Sequence, residues 1–448
     1  MKNIALSIIL FSLVLTSQNA DGQTVYTLQQ LRDSALVNNS SVKAARYDIE
    51  AAREQRKEAF TKYFPSVSAT GVWFNASREM AETQINPSEM MPQELGSVLQ
   101  QSFPPEALAA LANPITVAMM KDGVIGSVTA VQPVFAGGRI LNGNRLAKIG
   151  EEVSELQLQL SEKQVVKTTD EYFWQLVSLE EKSRTIDAVD SLLSNVSGNV
   201  ETAVNAGVAV RNDLLQIQIR QGEISSQRVK LQNGISLLKM VLAQYCGLSD
   251  TAFALSYVDS LTVFTPSDDQ NRAVAATTEY KLLEKQVRAA DLQKKSELGK
   301  NLPSVAVGAG YNYHNLLDND RTFGMVFATV QVPISDWWGG SHAVRRAEIN
   351  RQKAEDQLSD NAELLKIRIH KAWNGVTQAR QQLEIARLSI NQAEENLRLL
   401  RDSYAAGVCK MSDLLEAQLL FQQSRDRYTE AFSGLKISEA EWRLSGGE

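Results

Sequence analysis

Asp413 and Glu416 stand three residues apart, a spacing that sets two carboxylates on one face of a helix. Asp213 and Gln216 repeat that spacing with the second charge replaced by an amide. Such a pair can also be a capping box, in which Asp413 opens a helix and Glu416 reaches back to its first N–H groups. The chemistry within reach is therefore electrostatic, with no sign of bond-making machinery. His314, His342 and His370 are isolated from one another, and no HExxH or CxxC spacing is present. There is no phosphate loop and no nucleophile elbow. The expectation is no catalytic residue, no metal and no cofactor. The two cysteines, Cys246 and Cys409, are 163 positions apart. They fall at opposite ends of a predicted helix some 35 residues long, about 50 Å at 1.5 Å per residue, so no disulfide between them is expected.

What positions these residues is a duplicated chain. Ala206-Gly207-Val208 through Asp213-Leu214-Leu215 returns 200 residues later as Ala406-Gly407-Val408 through Asp413-Leu414-Leu415, and Gln218 and Gln418 extend the match. Gln132-Pro133-Val134 with Gly137-Gly138 answers Val332-Pro333-Ile334 with Gly339-Gly340, and Phe64-Pro65-Ser66-Val67 answers Leu302-Pro303-Ser304-Val305. Three landmarks in the same order give each half one helix–strand–strand–helix–helix unit.

The strands follow from the landmarks. Ser66 to Asn75, Val124 to Phe135, Ser304 to His314 and Phe323 to Ile334 each run about ten residues, which suits a tilted strand crossing a bilayer. Val305, Val307, Ala309, Tyr311 and Tyr313 alternate with the smaller Ser304, Ala306, Gly308, Gly310 and Asn312. A lipid-facing barrel fits this alternation; hairpins on a soluble sheet are the alternative. Pro65 and Pro303 should stop the preceding helices. Pro133 and Pro333 should close the second strands, with the Gly-Gly pairs allowing the backbone to turn into the next helix.

The rest reads as helix. Arg139 to about Asn205 and Ser341 to about Ala405 contain no proline, and spans of roughly 65 residues reach about 100 Å. Helices that long call for a coiled-coil or helical-barrel architecture. Return helices are predicted from Asp213 to about Tyr245 and from Asp413 to about Leu444, with Leu414, Leu415, Leu419, Phe421, Tyr428 and Phe432 as a core stripe. The expected organisation is a signal peptide over 1–22, a first repeat over 23–245, a joining segment over 246–277 and a second repeat over 278–448. A proline-rich insertion over 76–122 is expected as an extracellular loop.

The ends and the balance of charge narrow the setting. Lys2, the apolar run Ile4 to Leu15 and Ala20-Asp21-Gly22 form an export signal with a small-x-small cut before Gln23; cleavage after Ala20 or an N-terminal anchor are the alternatives. With 44% hydrophobic and 22% charged residues the chain is that of an ordered protein, and a net charge of -6 argues against a nucleic-acid partner. After residue 22 no apolar run is long enough for a membrane helix.

In this order, twice, the landmarks Leu302-Pro303-Ser304-Val305, Gln132-Pro133-Val134-Phe135 with Gly-Gly, and the two Ala-Gly-Val…Asp-Leu-Leu turns resemble the TolC family of outer-membrane efflux proteins over essentially the whole mature chain. The resemblance implies an α+β membrane protein. Its long antiparallel helices would form a periplasmic helical barrel, and four strands per protomer would complete a trimeric twelve-stranded outer-membrane barrel. The need for oligomers also follows from the strand count, because four strands cannot close a barrel and open edges in lipid leave backbone groups unpaired. By the same resemblance the turns at Gly207, Val208, Gly407, Val408 and Lys410 are adaptor-contact tips. Asp413, Glu416, Asp213 and Gln216 then line the periplasmic aperture, where three copies of the Asp413–Glu416 pair would form a cation-attracting ring. Trp73, Phe74, Trp337 and Trp338 are expected at strand ends as membrane-interface aromatics, with ordinary junction packing as the alternative.

The expected function is a passive outer-membrane duct of a tripartite efflux or type I secretion system. Its expected partners are a homotrimer, a periplasmic membrane-fusion adaptor, an inner-membrane RND or ABC transporter and outer-membrane lipid. A periplasmic coiled-coil adaptor without membrane strands is the main rival, and a hydrolase with helical insertions a distant third.

Overall fold

The computed structural model describes residues 24–78, 81–86, 115–119, 121–257, 270–315, 320–334 and 336–446. The expected signal peptide, most of the 76–122 insertion and part of the joining segment lie outside the described residues. Eight strands and eight helices are described: β1 Val25–Thr27, α1 Leu28–Asn38, α2 Ser40–Thr61, β2 Ser66–Asn75, β3 Ala81–Ile85, β4 Ile115–Met119, β5 Asp122–Phe135, α3 Arg139–Asn205, α4 Arg211–Cys246, β6 Ala254–Ser256, α5 Gln270–Ala276, α6 Thr278–Lys300, β7 Ser304–His314, β8 Arg321–Gln331, α7 Asp336–Ala405 and α8 Met411–Leu444. Thus α2-β2-β5-α3-α4 and α6-β7-β8-α7-α8 carry the same order. Among the described residues no helix is long and apolar enough to cross a membrane.

The chain forms two compact units, each built from both halves. One contains residues 54–148 and 289–351. Its centre is an antiparallel sheet in the order β2-β5-β7-β8, with β2 and β8 as edges. A second, two-stranded sheet pairs β3 with β4 inside the insertion. The helices stop ahead of Pro65 and Pro303 as expected. Thr61 and Lys300 end α2 and α6, and tight i−3 turns at Tyr63, Phe64 and Leu302 lead into the prolines.

Two expectations about the strand exits are corrected. Pro133 does not close β5; the strand continues to Phe135 through a register shift between Pro133 and Phe135. Proline is tolerated there because pairing with β2 has ended at Val131 and the ladder to β7 is irregular immediately after Pro133. Pro333 does lie beyond its strand, since β8 ends at Gln331. The two Gly-Gly pairs also differ in kind. Gly137 and Gly138 have φ of 62° and 74° and make the turn. Gly339 and Gly340 are already inside α7, where a Cβ on Gly340 would fall 2.0 Å from Asn301 Oδ1. Closeness, not chain reversal, selects glycine there. At Gly137 both demands apply, since an added Cβ would sit 2.1 Å from the Gly299 carbonyl oxygen.

The other unit, residues 1–53, 149–288 and 352–448, is helical. Its main core gathers Leu31 and Ala35 of α1, Phe173, Trp174 and Leu176 of α3, Leu242 and Cys246 of α4, Leu365 and Val376 of α7, and Phe432, Leu435 and Trp442 of α8. Two smaller apolar clusters follow along the helices. One is Ile186, Val189, Leu193 and Ile224; the other is Val200, Ile217, Met411 and Leu414. Helix α1 starts in a capping box, with Thr27 N donating to Gln30 Oε1 at 2.9 Å and Gln30 N donating to Thr27 Oγ1 at 3.3 Å. Ser34 Oγ then donates to the Cys246 carbonyl at 2.8 Å, tying α1 to the end of α4. A bidentate pair, Arg32 to Asp170 at 2.6 Å for both contacts, fixes α1 on α3. Burial holds the Asp170 carboxyl above its ordinary range in spite of that guanidinium.

Candidate functional site: the helix tips

The α3–α4 and α7–α8 turns have one construction. In the first, Val208 N donates to the Ala203 carbonyl at 2.9 Å and Gly207 N to that of Val204 at 3.0 Å. In the second, Val408 N donates to Ser403 at 2.9 Å and Gly407 N to Tyr404 at 3.0 Å. These are Schellman closures, which need a left-handed residue after the helix. Gly207 and Gly407 supply it at φ of 78° and 74°. The next residues, Val208 and Val408, are 80% and 79% exposed, so each tip presents an unburied valine. Below both tips, Val200, Ile217, Met411 and Leu414 bring α3, α4 and α8 together, with Leu397 and Tyr404 of α7 against them.

The carboxylates differ from the expected capping frame. Helix α8 is capped by Lys410, and Asp413 is its third residue. Asp413 Oδ2 accepts from Lys410 N at 3.2 Å, and Ser412 Oγ donates to Asp413 Oδ1 at 3.2 Å. Glu416 lies one turn further on and is exposed. Helix α4 begins likewise, with Val210 at the cap, Asp213 third and Gln216 half-buried. The frame moves because the short turn after each glycine puts the helix cap three residues before the aspartate.

One contact at the tips was not foreseen. The Tyr404 hydroxyl, near the end of α7, lies beside Asp213, near the start of α4. Burial first, and the Asp213 charge second, push the phenol above its ordinary value. The contact crosses from one repeat to the other. Its only sequence signal is a break in the duplication, because Val204 occupies the place of Tyr404 in the first half. Cys409 is half-buried, with its Sγ 3.5 Å from the Leu400 carbonyl, and Cys246 is buried at the far end of α4; both are free thiols.

The aromatic residues divide. Trp73 is 71% exposed and Phe74 half-buried just before β2 ends at Asn75. Trp337 and Trp338 are not at a strand end: they lie in the first turn of α7, with Trp338 exposed. The side chain of Trp337 lies outside the described residues. Among the described residues no group of three His, Cys, Asp or Glu is placed to hold a metal ion.

One face of the sheet is predominantly apolar, while the other mixes Ser68, Thr70, Ser127, Thr129 and Thr329 with Ile125, Phe323 and Met325. Residues directly opposite in a ladder share a face. The registers place Val67, Ala69 and Trp73 beside Val124, Val128 and Ala130, then Val305, Val307 and Tyr311, then Val326, Ala328 and Val330. These side chains form one apolar face across all four strands, and Val67 and Val326 are 68% and 85% exposed.

Residues 276–447 match a family model described as outer membrane efflux protein. Solved structures share the fold. The Campylobacter jejuni CmeC outer membrane channel aligns with a TM-score of 0.74 at 14% identity, covering 94% of this chain and 85% of that one. VceC from Vibrio cholerae aligns at 0.71 and 15% identity, covering 94% and 96%. The open state of the Neisseria gonorrhoeae MtrE outer membrane channel aligns at 0.72 and 13% identity, covering 94% and 88%. No curated protein sequence matches the chain significantly. The fold is that of TolC-like outer-membrane channels. The expected resemblance to the TolC family of outer-membrane efflux proteins is borne out, by the family match over the second half and by the fold over nearly the whole length.

Proposed function

We propose that the chain is the passive exit duct of a tripartite efflux or type I secretion assembly, standing in the outer membrane with its helices in the periplasm. The observation that carries this reading is the continuous, exposed apolar face of a four-stranded sheet whose two edge strands are unpaired. In water such a face and such edges invite aggregation. In lipid the face is satisfied, and edges pair with neighbouring copies until a barrel closes. Three copies of four strands give the expected twelve. The first and second repeats, and the insertion as an outward loop, keep their expected roles in this scheme.

The tips complete the reading. Val208, Val408 and Lys410 offer apolar and basic contacts to a periplasmic adaptor, whose inner-membrane RND or ABC partner supplies the energy. Asp213 faces Tyr404 between the α3–α4 and α7–α8 hairpins, with Gln216 one turn further along α4. Glu416 and Asp413, repeated in each copy, line the aperture with negative charge. The test is to purify the chain in detergent and insert it into a planar bilayer. Discrete, cation-preferring conductance steps from a trimer are expected. A monomer that stays dissolved without detergent and gives no conductance overturns the proposal.

A further inference from the structure

A cavity of about 390 Å³ lies between α3, α7 and α8 in the helical unit, within the ~300–1,000 Å³ usual for small-molecule sites. Its lining residues recur at spacings of three and four, Arg387, Ile390 and Glu394 on α7 and Phe421, Arg425, Tyr428 and Phe432 on α8, so one stripe of each helix faces it. The inner wall is apolar: Val177 of α3 and Phe432 are buried, and Ile390 and Phe421 are half-buried. Trp174 backs this wall, with ring centroids 5.7 Å from Phe432 and 6.0 Å from Tyr257, another lining residue. One polar side chain interrupts it. Ser433 is 4% exposed and lines the cavity, yet its Oγ has no hydrogen-bond partner among the described residues. A buried hydroxyl is rarely left unmatched, so this one calls for a polar group inside the cavity. The rim is cationic. Arg387 and Arg425 are exposed, and neither guanidinium enters an ion pair among the described residues. Asp426 feels Arg425 at longer range, but burial holds its carboxyl above the ordinary value. Of the lining carboxylates, Glu181 accepts from the Tyr257 hydroxyl at 2.6 Å and pairs with Arg184, which leaves Glu394. Two free cations therefore face one free carboxylate.

We propose that this cavity is a binding site for an amphiphilic monoanion, an aromatic carboxylate with a hydroxyl at its far end. The carboxylate sits at the rim, where the planar guanidinium forks of Arg387 and Arg425 match its geometry. The ring system lies along Phe421, Phe432 and Ile390, and the far hydroxyl meets Ser433 Oγ. A phosphate dianion is disfavoured, because its second charge would stand against Glu394. The site is assembled within one chain, so it goes beyond the duct reading and does not depend on it.

The experiment is isothermal titration calorimetry of the purified full chain in amphipol, free of micelles that would take up the ligand. The probe is a naphthalene carboxylate carrying a hydroxyl on the far ring. Saturable binding at one site per chain is expected. Arg387→Gln and Arg425→Gln should each weaken it about fivefold, the scale of a charge pair at an exposed rim. The neutral carboxamide of the probe, which loses both, should bind at least about tenfold more weakly. Removing the hydroxyl from the probe should cost about threefold to tenfold, and in Ser433→Ala that difference should vanish. Ser433→Ala deletes an unmatched buried group, so the empty protein should melt no lower than the parent. Inorganic phosphate should not compete. Absence of saturable binding, equal affinity for acid and carboxamide, or a hydroxyl preference that survives in Ser433→Ala overturns the site. Planar-bilayer recording of the same protein decides the duct separately. A conducting chain that binds nothing loses only the site, and a binding chain that never conducts loses only the duct.

Discussion

An arginine placed at Val326 tests whether the sheet meets lipid. Val326 is the middle residue of the edge strand β8, and its ladder partner is Ala309 of β7, so it sits on the apolar face at mid-height. Thr329, three residues on, pairs with Ala306 and points to the opposite face. An arginine on the lipid face of a barrel costs about 2–4 kcal/mol near the bilayer midplane and much less elsewhere. At 1.4 kcal/mol per factor of ten that is roughly 30- to 1000-fold per copy. Three copies in one barrel multiply the penalty, to roughly 6–12 kcal/mol per assembly if the sites act independently. Val326→Arg should therefore empty the outer-membrane fraction of folded, heat-modifiable oligomer on semi-native gels. Thr329→Arg should assemble near the level of the unaltered chain and shift selectivity toward anions. Equal damage from both substitutions, or none from either, would refute the assignment of the apolar face to lipid.

Other outcomes follow from the same contacts. Tyr404→Phe removes the phenol oxygen beside Asp213 and should raise open probability; an unaltered current record would remove the pair as a closing tie. Gly407→Ala forces a side chain into φ of 74° and should cost about 1–2 kcal/mol in thermal unfolding, whereas Gly150→Ala, helical with open space around it, should be neutral or stabilising. Glu348, hydrogen-bonded by Arg351 and Lys294, has its pKa lowered from 4.5 to about 2. Its contribution should be complete above pH 4.5 and fade as pH falls toward 2, a loss absent from Glu348→Gln when melting temperature is followed against pH. Maleimide at neutral pH should label Cys409 well before Cys246, whose burial raises its thiol to about 11; the reverse order would contradict the burial of Cys246 and the half-buried place of Cys409 in the α7–α8 turn.

Local chemistry was legible where a single residue type decides it. The bounds of β2 and β7 follow from Pro65 and Pro303 together with strand length, and the ends of α3 and α7 from the glycines that no other residue replaces cheaply. What depends on a neighbour was not legible. Alternation names the face of β7 but not the strand beside it, so the β5–β7 ladder and the tolerance of Pro133 needed the fold. Gly339 and Gly340 copy Gly137 and Gly138 in letters, while only Gly340 is crowded, by the Asn301 side chain, and Gly339 has open space around it. The Asp–x–x–Glu spacing fits a cap in two frames, and the geometry of the preceding turn chose the other one. Tyr404 beside Asp213, and Arg220 of α4 donating to Gln418 Oε1 of α8 at 3.0 Å, bring together residues roughly 200 positions apart. Nothing local marks such pairs except that both interrupt the duplication.

The β5–β7 ladder also bears on how such a chain can come to exist. A molecule half as long would own a two-stranded ribbon with two raw borders and would have to gather twice as many copies to close a ring. Fusing the halves turns every second seam into a covalent certainty. It also frees the two hairpins from being identical, and so lets one of them acquire a tyrosine or an arginine that the other lacks.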